Sequence, residues 1–353
     1  MKNCILLFCN SKTYFNLIIV RVRRSIVVLR IMMNKYVFWS EIMGIEELKQ
    51  LQLQIIRKNK TCNIIGVLLF IFSSLVLWVN YLSKYNLIEL TIMAILIDLV
   101  FCVIIMAFVK SRVNGKNIRT FYKEFKNVFV LSSLQNVFDN ITYYPTKGFS
   151  REFVKSIGMI DTGDSFNSND YISGKYKNIS FEQADMHIQE EHEEEDKDGK
   201  KETVWETTFL GRLMIFDFNK SFKSDIQVAS RYFSAESLPW SKRFSRVRME
   251  DIEFNNSFNV FAESEHEAFY ILTPQFMEKI KDITKKLGCS VMFCFVKNKL
   301  HIAVNNYEDS FEHNVFKKID EKKIQENITR DIKLITNFVD ELSLDNNLFR
   351  REV

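Results

Sequence analysis

Several groups of residues in this 353-residue chain have types and spacing that bear on chemistry. Asp161-Thr162-Gly163 spells the tripeptide of aspartic-protease chemistry, which needs two such aspartates sharing one proton. The chain holds no second copy, and the run before it, SIGMI, is a weak strand. A turn is therefore the expectation, with a hydrolase at Asp161 as the alternative. Asp161, Asp164 and Asp170 match a calcium loop only loosely, because the EF-hand spacing and its closing bidentate glutamate are missing. His187, His192 and the acids of EEHEEEDKDGKKE (190–202) would suit a loosely held divalent metal. A charge run ending in Asp-Gly between two strands is more often a solvated hairpin tip, and that is the expectation. No metal and no cofactor is expected, and the chain has no glycine-rich phosphate loop.

The cysteines add no chemistry. Cys4, Cys9, Cys62, Cys102, Cys289 and Cys294 form no CxxC, and no histidine stands at zinc-ligand spacing from a pair of them. Cys289 and Cys294 point to opposite faces of a strand-like run, so reduced thiols are expected. Asp98 lies in the middle of an apolar run, where an ionised carboxylate costs about 2.5–3.5 kcal/mol. Counting depth across a short hairpin turn sets Asp98 against Ser73 and Ser74. A protonated acid bonded to those hydroxyls, or to a second copy of the hairpin, is expected, and a proton or ion site is the alternative. Finally, RVRMEDIEF exposes Arg246, Arg248, Glu250 and Glu253 as candidate contact residues. Cross-strand ion pairing is the plainer reading of those four charges, and at a surface it is worth little.

Apolar residues make up 47% of the chain and charged residues 26%, but the apolar ones crowd into the first third. Residues 61–83, TCNIIGVLLFIFSSLVLWVNYLS, carry no formal charge, and a bilayer span needs roughly 20 such residues. A second apolar run covers 87–109. The short connection makes the two helices antiparallel neighbours. Arg57, Lys58 and Lys60 precede the first run, Lys110, Arg112, Lys116 and Arg119 follow the second, and the loop holds only Lys84. The positive-inside rule sets both termini in the cytoplasm of a multi-pass inner-membrane protein. The residues before the hairpin divide into a poorly defined segment, 1–42, and a cytosolic juxtamembrane helix, 43–60. Met43 is the expected biological start. The net charge of +4 is small and unpatterned, which argues against a nucleic-acid partner.

The remaining residues, 117–345, read as a cytosolic α+β domain of antiparallel strands packed with amphipathic helices. Asn117–Phe138 has a helical apolar face, and a short helix is expected near 150–157. ISFEQADMHIQ reads as a half-buried strand and ETVWETTFLGRLMIFDF as its return, with Gly211 a bulge. RVRMEDIEF alternates as a strand, with Val247, Met249 and Ile252 on related faces after a kink. Ser264 and Glu267 form a capping box, and Thr273 with Pro274 opens a helix that ends at Gly288. CSVMFCFV and LHIAV pair across Lys297-Asn298-Lys299, and an amphipathic helix runs from about 321 to 342.

A two-helix hairpin, NDYISGKYKNISFEQA, TFLGRLMIFDFNKSF, RVRMEDIEFNNSFNVFAESEHEAFYILTPQFMEKI and LITNFVDELSL occur here in that order. The combination resembles the bacterial "domain of unknown function 3137" family of two-helix membrane proteins, over roughly residues 43 to 345. The block from Arg246 to Pro274 is the most specific part, and the acidic 190–202 segment looks like a loop insertion. The resemblance implies topology and unity of fold, and it supplies no catalytic residue. Genes of such proteins lie beside those of LemA-type membrane proteins, so the resemblance also implies an envelope-associated partner.

The leading functional expectation is a non-enzymatic, membrane-anchored interaction module whose cytosolic α+β domain binds a protein or a lipid headgroup through Arg246, Arg248, Glu250 and Glu253. Its partners would be the bilayer, an envelope membrane protein and a second copy through the hairpin. The alternatives are a hydrolase or metal-dependent enzyme at Asp161 or His187 and His192, and a small transport component using Asp98.

Overall fold

A computed structural model describes residues 44–85, 88–195, 201–218, 222–231, 233 and 238–344, with backbone only over 80–91. The segment 1–42, the Met43 start and the tip at 196–200 lie outside the described residues. The chain divides into two compact units, with the boundary between Val128 and Phe129.

The first unit is a helical hairpin, α1 (Ile45–Tyr85) and α2 (Ile88–Phe125). Each helix is continuous, so the juxtamembrane stretch from Ile45 and the first apolar run are one rod. Both helices are long and apolar enough to cross a membrane. Their apolar windows leave Phe72 66% and Ile97 67% exposed, surface that water would not tolerate at this extent and a bilayer would. The two helices approach closely where Gly66 faces the Met106 thioether. The amphipathic stretch expected as one helix over 117–138 is instead shared. Its first turns finish α2, Lys126–Leu131 is π-helical, and Ser132–Val137 forms α3.

The second unit is built on a nine-stranded antiparallel sheet. Its strands are β1 (Asp139–Tyr144), β2 (Ser165–Tyr176), β3 (Ile179–Glu195), β4 (Lys201–Asp217), β5 (Ile226–Ser230), β6 (Ser245–Val247), β7 (Phe258–Ala262), β8 (Ser290–Val296) and β9 (Lys299–Asn305). Their spatial order is β1-β2-β3-β4-β9-β8-β5-β7-β6. The helices are α4 (Arg151–Ile157), α5 (Ile252–Ser257), α6 (Glu265–Ile271), α7 (Pro274–Leu287) and α8 (Glu321–Glu341). An α+β domain is thus what the sequence folds into.

Both faces of the central strands are covered, which explains the unbroken apolar run SVMFCFV in β8. Met292, Cys294 and Val296 join Val154, Ile157, Leu213, Ile215 and Trp240 in one core. Phe293 and Phe295 face the other way. The Phe293 ring lies 6.2 Å from that of Phe338 on α8, and the Phe295 ring 6.0 Å from that of Phe276 on α7. Local chemistry sets the boundaries. Ser150, Asp251, Ser264, Thr273 and Asp320 each accept a helix-starting N–H. Lys297 and Asn298, both at positive φ, make the two-residue β8–β9 turn.

Four local expectations fail. The stretch around Asp161–Asp170 is not all turn, because β2 begins at Ser165. β3 is buried on both faces from Gln183 to Met186, so Gln183 and Asp185 are inside. The bulge in β4 falls opposite Ile188 and Gln189, not at Gly211. Gly211 is instead where β9 comes closest, and a Cβ there would overlap the Val304 carbonyl oxygen. Lastly, the RVRMEDIEF strand stops at Val247. Asp251 caps α5, and Ile252 in its first turn is 71% exposed.

Candidate functional site

The densest polar constellation lies inside the second unit, on the sheet face that α8 covers. Strand register builds it: Asn169 on β2 stands opposite Asp185 on β3, Asp185 opposite Arg212 on β4, and Arg212 opposite Val304 on β9. Asp170 sits at the β2 irregularity with φ 52° and is fully buried. Arg212 is 2% exposed. Its Nη2 lies 2.9 Å from Asp331 Oδ1, and its Nη1 donates to the Asp331 carbonyl oxygen at 2.7 Å. Its Nε donates to Ser310 Oγ and stands 3.7 Å from Asp185 Oδ1, within ion-pair reach but beyond a hydrogen bond. The Phe311 ring lies 5.3 Å from the guanidinium. Asp185 Oδ2 accepts from Ser310 N at 2.6 Å, and Asp331 Oδ2 from Phe311 N at 3.2 Å. Tyr143 Oη donates to Asp170 Oδ1.

Two of the three buried carboxylates here, Asp185 and Asp331, pair with Arg212, and oxygens of Asp170, Asp185 and the exposed Asp309 lie within 4.8 Å of one another. A proton on Asp185 reduces the excess of negative charge. Burial pushes the Asp185 carboxyl up to about 7, against the pull of Arg212 and with the push of Asp170. Burial and Asp170 likewise drive the Tyr143 phenol up, so it stays a donor. Beside the cluster is a cavity of about 910 Å³ lined by Arg212, Asp331, Cys289, Glu308, Gln325 and Arg330, among others.

A pH dependence follows. An acid whose folded pKa lies above its unfolded value of about 4 keeps its proton longer in the folded state. Stability from Asp185 therefore falls as pH rises from about 4 to about 7. His301 is buried and pushed down to about 4, so it acts in the opposite sense. As pH drops below about 6.5, the unfolded chain takes a proton that folded His301 refuses. The two slopes oppose each other in the wild type. Asp185→Asn removes the first, so its unfolding midpoint should drop more steeply than wild type between pH 7 and pH 5. Thermal unfolding in detergent measures this, and parallel curves would contradict the Asp185 assignment.

Within the hairpin, Ser73 Oγ donates to Asp98 Oδ2 at 2.6 Å, Ser74 Oγ lies 3.4 Å from the same oxygen, and Cys102 Sγ 3.7 Å from Oδ1. Ser73, Asp98 and Cys102 border a cavity of about 330 Å³. The other chemical leads do not converge. Asp161 Oδ1 accepts from Gly163 N at 3.2 Å, closing its own turn. His187 Nε2 meets Thr207 Oγ1 at 3.1 Å, and exposed His192 lies 3.3 Å from Glu206 and 3.8 Å from Glu190. Cys62, Cys102, Cys289 and Cys294 are free thiols.

The four candidate contact residues separate. Glu253 joins Lys281, at 3.0 Å, together with Asp251 and Glu278. Glu250 is exposed. Arg246 and Arg248 line a cavity of about 330 Å³ with Arg231, Val247, Asn255, Asn256 and Phe258. Neither guanidinium has a hydrogen bond or ion pair with a described residue.

The sequence reading passed over Arg231, Arg212, Asp185, Ser310 and Asp331. A signal existed for Arg212, the one basic residue in the apolar run FLGRLMIF, since an arginine buried in a strand demands a carboxylate. Nothing in the sequence names which carboxylate.

Residues 207–344 match the model of a family described as protein of unknown function DUF3137. No curated protein and no solved structure matches the chain. The match spans Arg212, Arg231, Arg246, Arg248 and Asp331, and begins after the hairpin, β1, β2 and β3.

Proposed function

We propose that this chain, whose residues 207–344 match a family described without any activity, is a membrane-anchored, non-enzymatic interaction module. The apolar hairpin is the anchor. The basic residues Arg57, Lys58 and Lys60 before it, and Lys110, Arg112, Lys116 and Arg119 after it, favour an inner membrane with both termini and the folded unit on the cytoplasmic side. The folded unit contacts a second membrane protein of the envelope through the face that carries Arg246, Arg248, Glu250 and Glu253.

The observation that carries this reading is the pair of arginines, exposed and unpartnered among the described residues, at the mouth of a cavity. Glu253 of the same face, by contrast, is paired with Lys281. The enzyme and transport alternatives draw less support, because Asp161 closes its own turn and Asp98 is hydrogen-bonded within the hairpin.

The test is crosslinking of the full chain in native membranes, followed by quantitative recovery of the dominant crosslinked protein. Alanine at Arg246, Arg248, Glu250 and Glu253 together should reduce that recovery about tenfold, the loss of roughly 1.4 kcal/mol of contact energy. Unchanged recovery would refute the contact face. A reporter after Val353 found on the external side would refute the orientation.

A further inference from the structure

β7 lies between β5 and β6, and the ends of these three strands meet at one corner of the sheet. Ser230 at the end of β5 pairs with Phe258 at the start of β7, and Val247 at the end of β6 pairs with Val260. Arg231 therefore emerges on one side of Phe258, and Arg248 on the other. Val247 is buried, and the two arginines that flank it, Arg246 and Arg248, are exposed.

Arg231 is held firmly. Its backbone N–H donates to the Ser257 carbonyl oxygen at 3.0 Å. Its Nε and Nη2 donate to the Asn255 carbonyl oxygen at 3.2 and 2.6 Å, capping the end of α5. Asn255 in turn ties down the loop after β6, accepting from Met249 N at 2.9 Å and donating to the Met249 carbonyl oxygen at 2.6 Å. Arg231 Nη1, both guanidiniums at 246 and 248, and the Asn256 amide have no hydrogen bond to a described residue. The lining of the cavity holds three arginines and no aspartate or glutamate.

Three guanidiniums around one cavity of about 330 Å³ repel one another in the empty state. An anion between them turns that repulsion into attraction. The guanidinium fork matches phosphate geometry, and each arginine offers paired N–H donors. A phosphate monoester presents three peripheral oxygens and nearly two negative charges, one oxygen for each fork. A carboxylate offers two oxygens and one charge, so it would leave one arginine unanswered.

We propose that Arg231, Arg246 and Arg248 form a binding site for a phosphate monoester group. The inference rests on the reading of Arg246 and Arg248 as contact residues, and it names the chemistry that they contact. The same chemistry is carried by a soluble phosphate ester and by a phosphatidic-acid headgroup.

The test uses the full chain in neutral detergent, titrated calorimetrically at low salt with inorganic phosphate, glycerol phosphate and short-chain phosphatidic acid. Short-chain phosphatidylcholine is the zwitterionic control. At least one phosphate-monoester probe, or inorganic phosphate itself, should bind saturably, and phosphatidylcholine should not. Arg246→Ala with Arg248→Ala should weaken that binding at least about tenfold. Lys242→Ala, an exposed basic residue outside the cavity lining, should change it less than about twofold. Binding of inorganic phosphate as tight as that of the lipid identifies a soluble ester, and binding of phosphatidic acid alone identifies a headgroup. Absence of saturable binding by every phosphate probe overturns the proposal. So does an equal loss in the Lys242 variant, which would mark general charge attraction. If no probe binds while the arginine variants still lose the crosslinked membrane protein, the ligand class falls and the contact face stands. If phosphate binds while crosslinking is unaffected, the anion site stands and the contact face falls.

Discussion

Arg212→Met is expected to destabilise the folded unit by about 3–5 kcal/mol, enough to unfold a domain of ordinary stability. The side chain is 2% exposed and, among the described residues, is the cation that pairs with both Asp185 and Asp331, while the exposed Arg330 lies 3.9 Å from Asp331 Oδ1. Removing it leaves buried carboxylates with their desolvation uncompensated, and Ser310 Oγ and the Asp331 carbonyl oxygen without their donor. Arg212→Lys keeps the charge, but a single ammonium cannot serve Asp331, Ser310 and Asp185 from one planar fork, so a smaller loss is expected. Adding Asp331→Asn to Arg212→Met should recover part of the loss, because it removes one orphaned charge. Chemical unfolding of the full chain in detergent, followed by circular dichroism, measures all three variants. An Arg212→Met protein within about 1 kcal/mol of wild type would mean that the cluster is not the buried network described above.

Phe338→Ala is expected to cost about 3–5 kcal/mol as well, for an apolar reason. Phe338 is fully buried on α8, with ring centroids 6.5 Å from Phe216 on β4 and 6.2 Å from Phe293 on β8. The cavity left by the ring would open where α8 meets the central strands. Asp331 rides on the same helix, so loosening α8 also loosens the Arg212 pair. Amide exchange across α8 should quicken along with the loss of stability. Phe316→Ala is the control, since Phe316 is 50% exposed and its removal should change stability by no more than about 0.5 kcal/mol. Equal effects from the two substitutions would remove Phe338 from the core that fastens α8.

Different parts of the fold were legible to different degrees, and the range of the interaction decided which. Asp98 could be set against Ser73 from the sequence because the two helices share a short connection, so depth along one predicts depth along the other. Helix starts at Thr273 and Ser264 could be read because a cap spans three residues. The capping box at Ser264 was only half legible: Ser264 receives the Glu267 N–H, but the Glu267 carboxylate accepts from Lys223 N, a long-range partner. The segment RVRMEDIEF misled for a related reason. Its alternation suits a strand, and Asp251 suits a helix cap equally well, with the packing of Phe254 into the core favouring the helix.

The amino-acid sequence by itself determined the apolar hairpin, the helices opened by Ser264 and Thr273, and the two-residue turn at Lys297-Asn298, since each depends on neighbours within a few residues. Only the tertiary structure decided that Asp185, Arg212 and Asp331 meet, and that Arg231 joins Arg246 and Arg248 around one cavity. Those meetings depend on strand order and register, which bring far-separated stretches of chain side by side. A charged residue in a sequence carries no record of whether it will be desolvated, because burial is a property of the whole sheet and of the helix that closes over it.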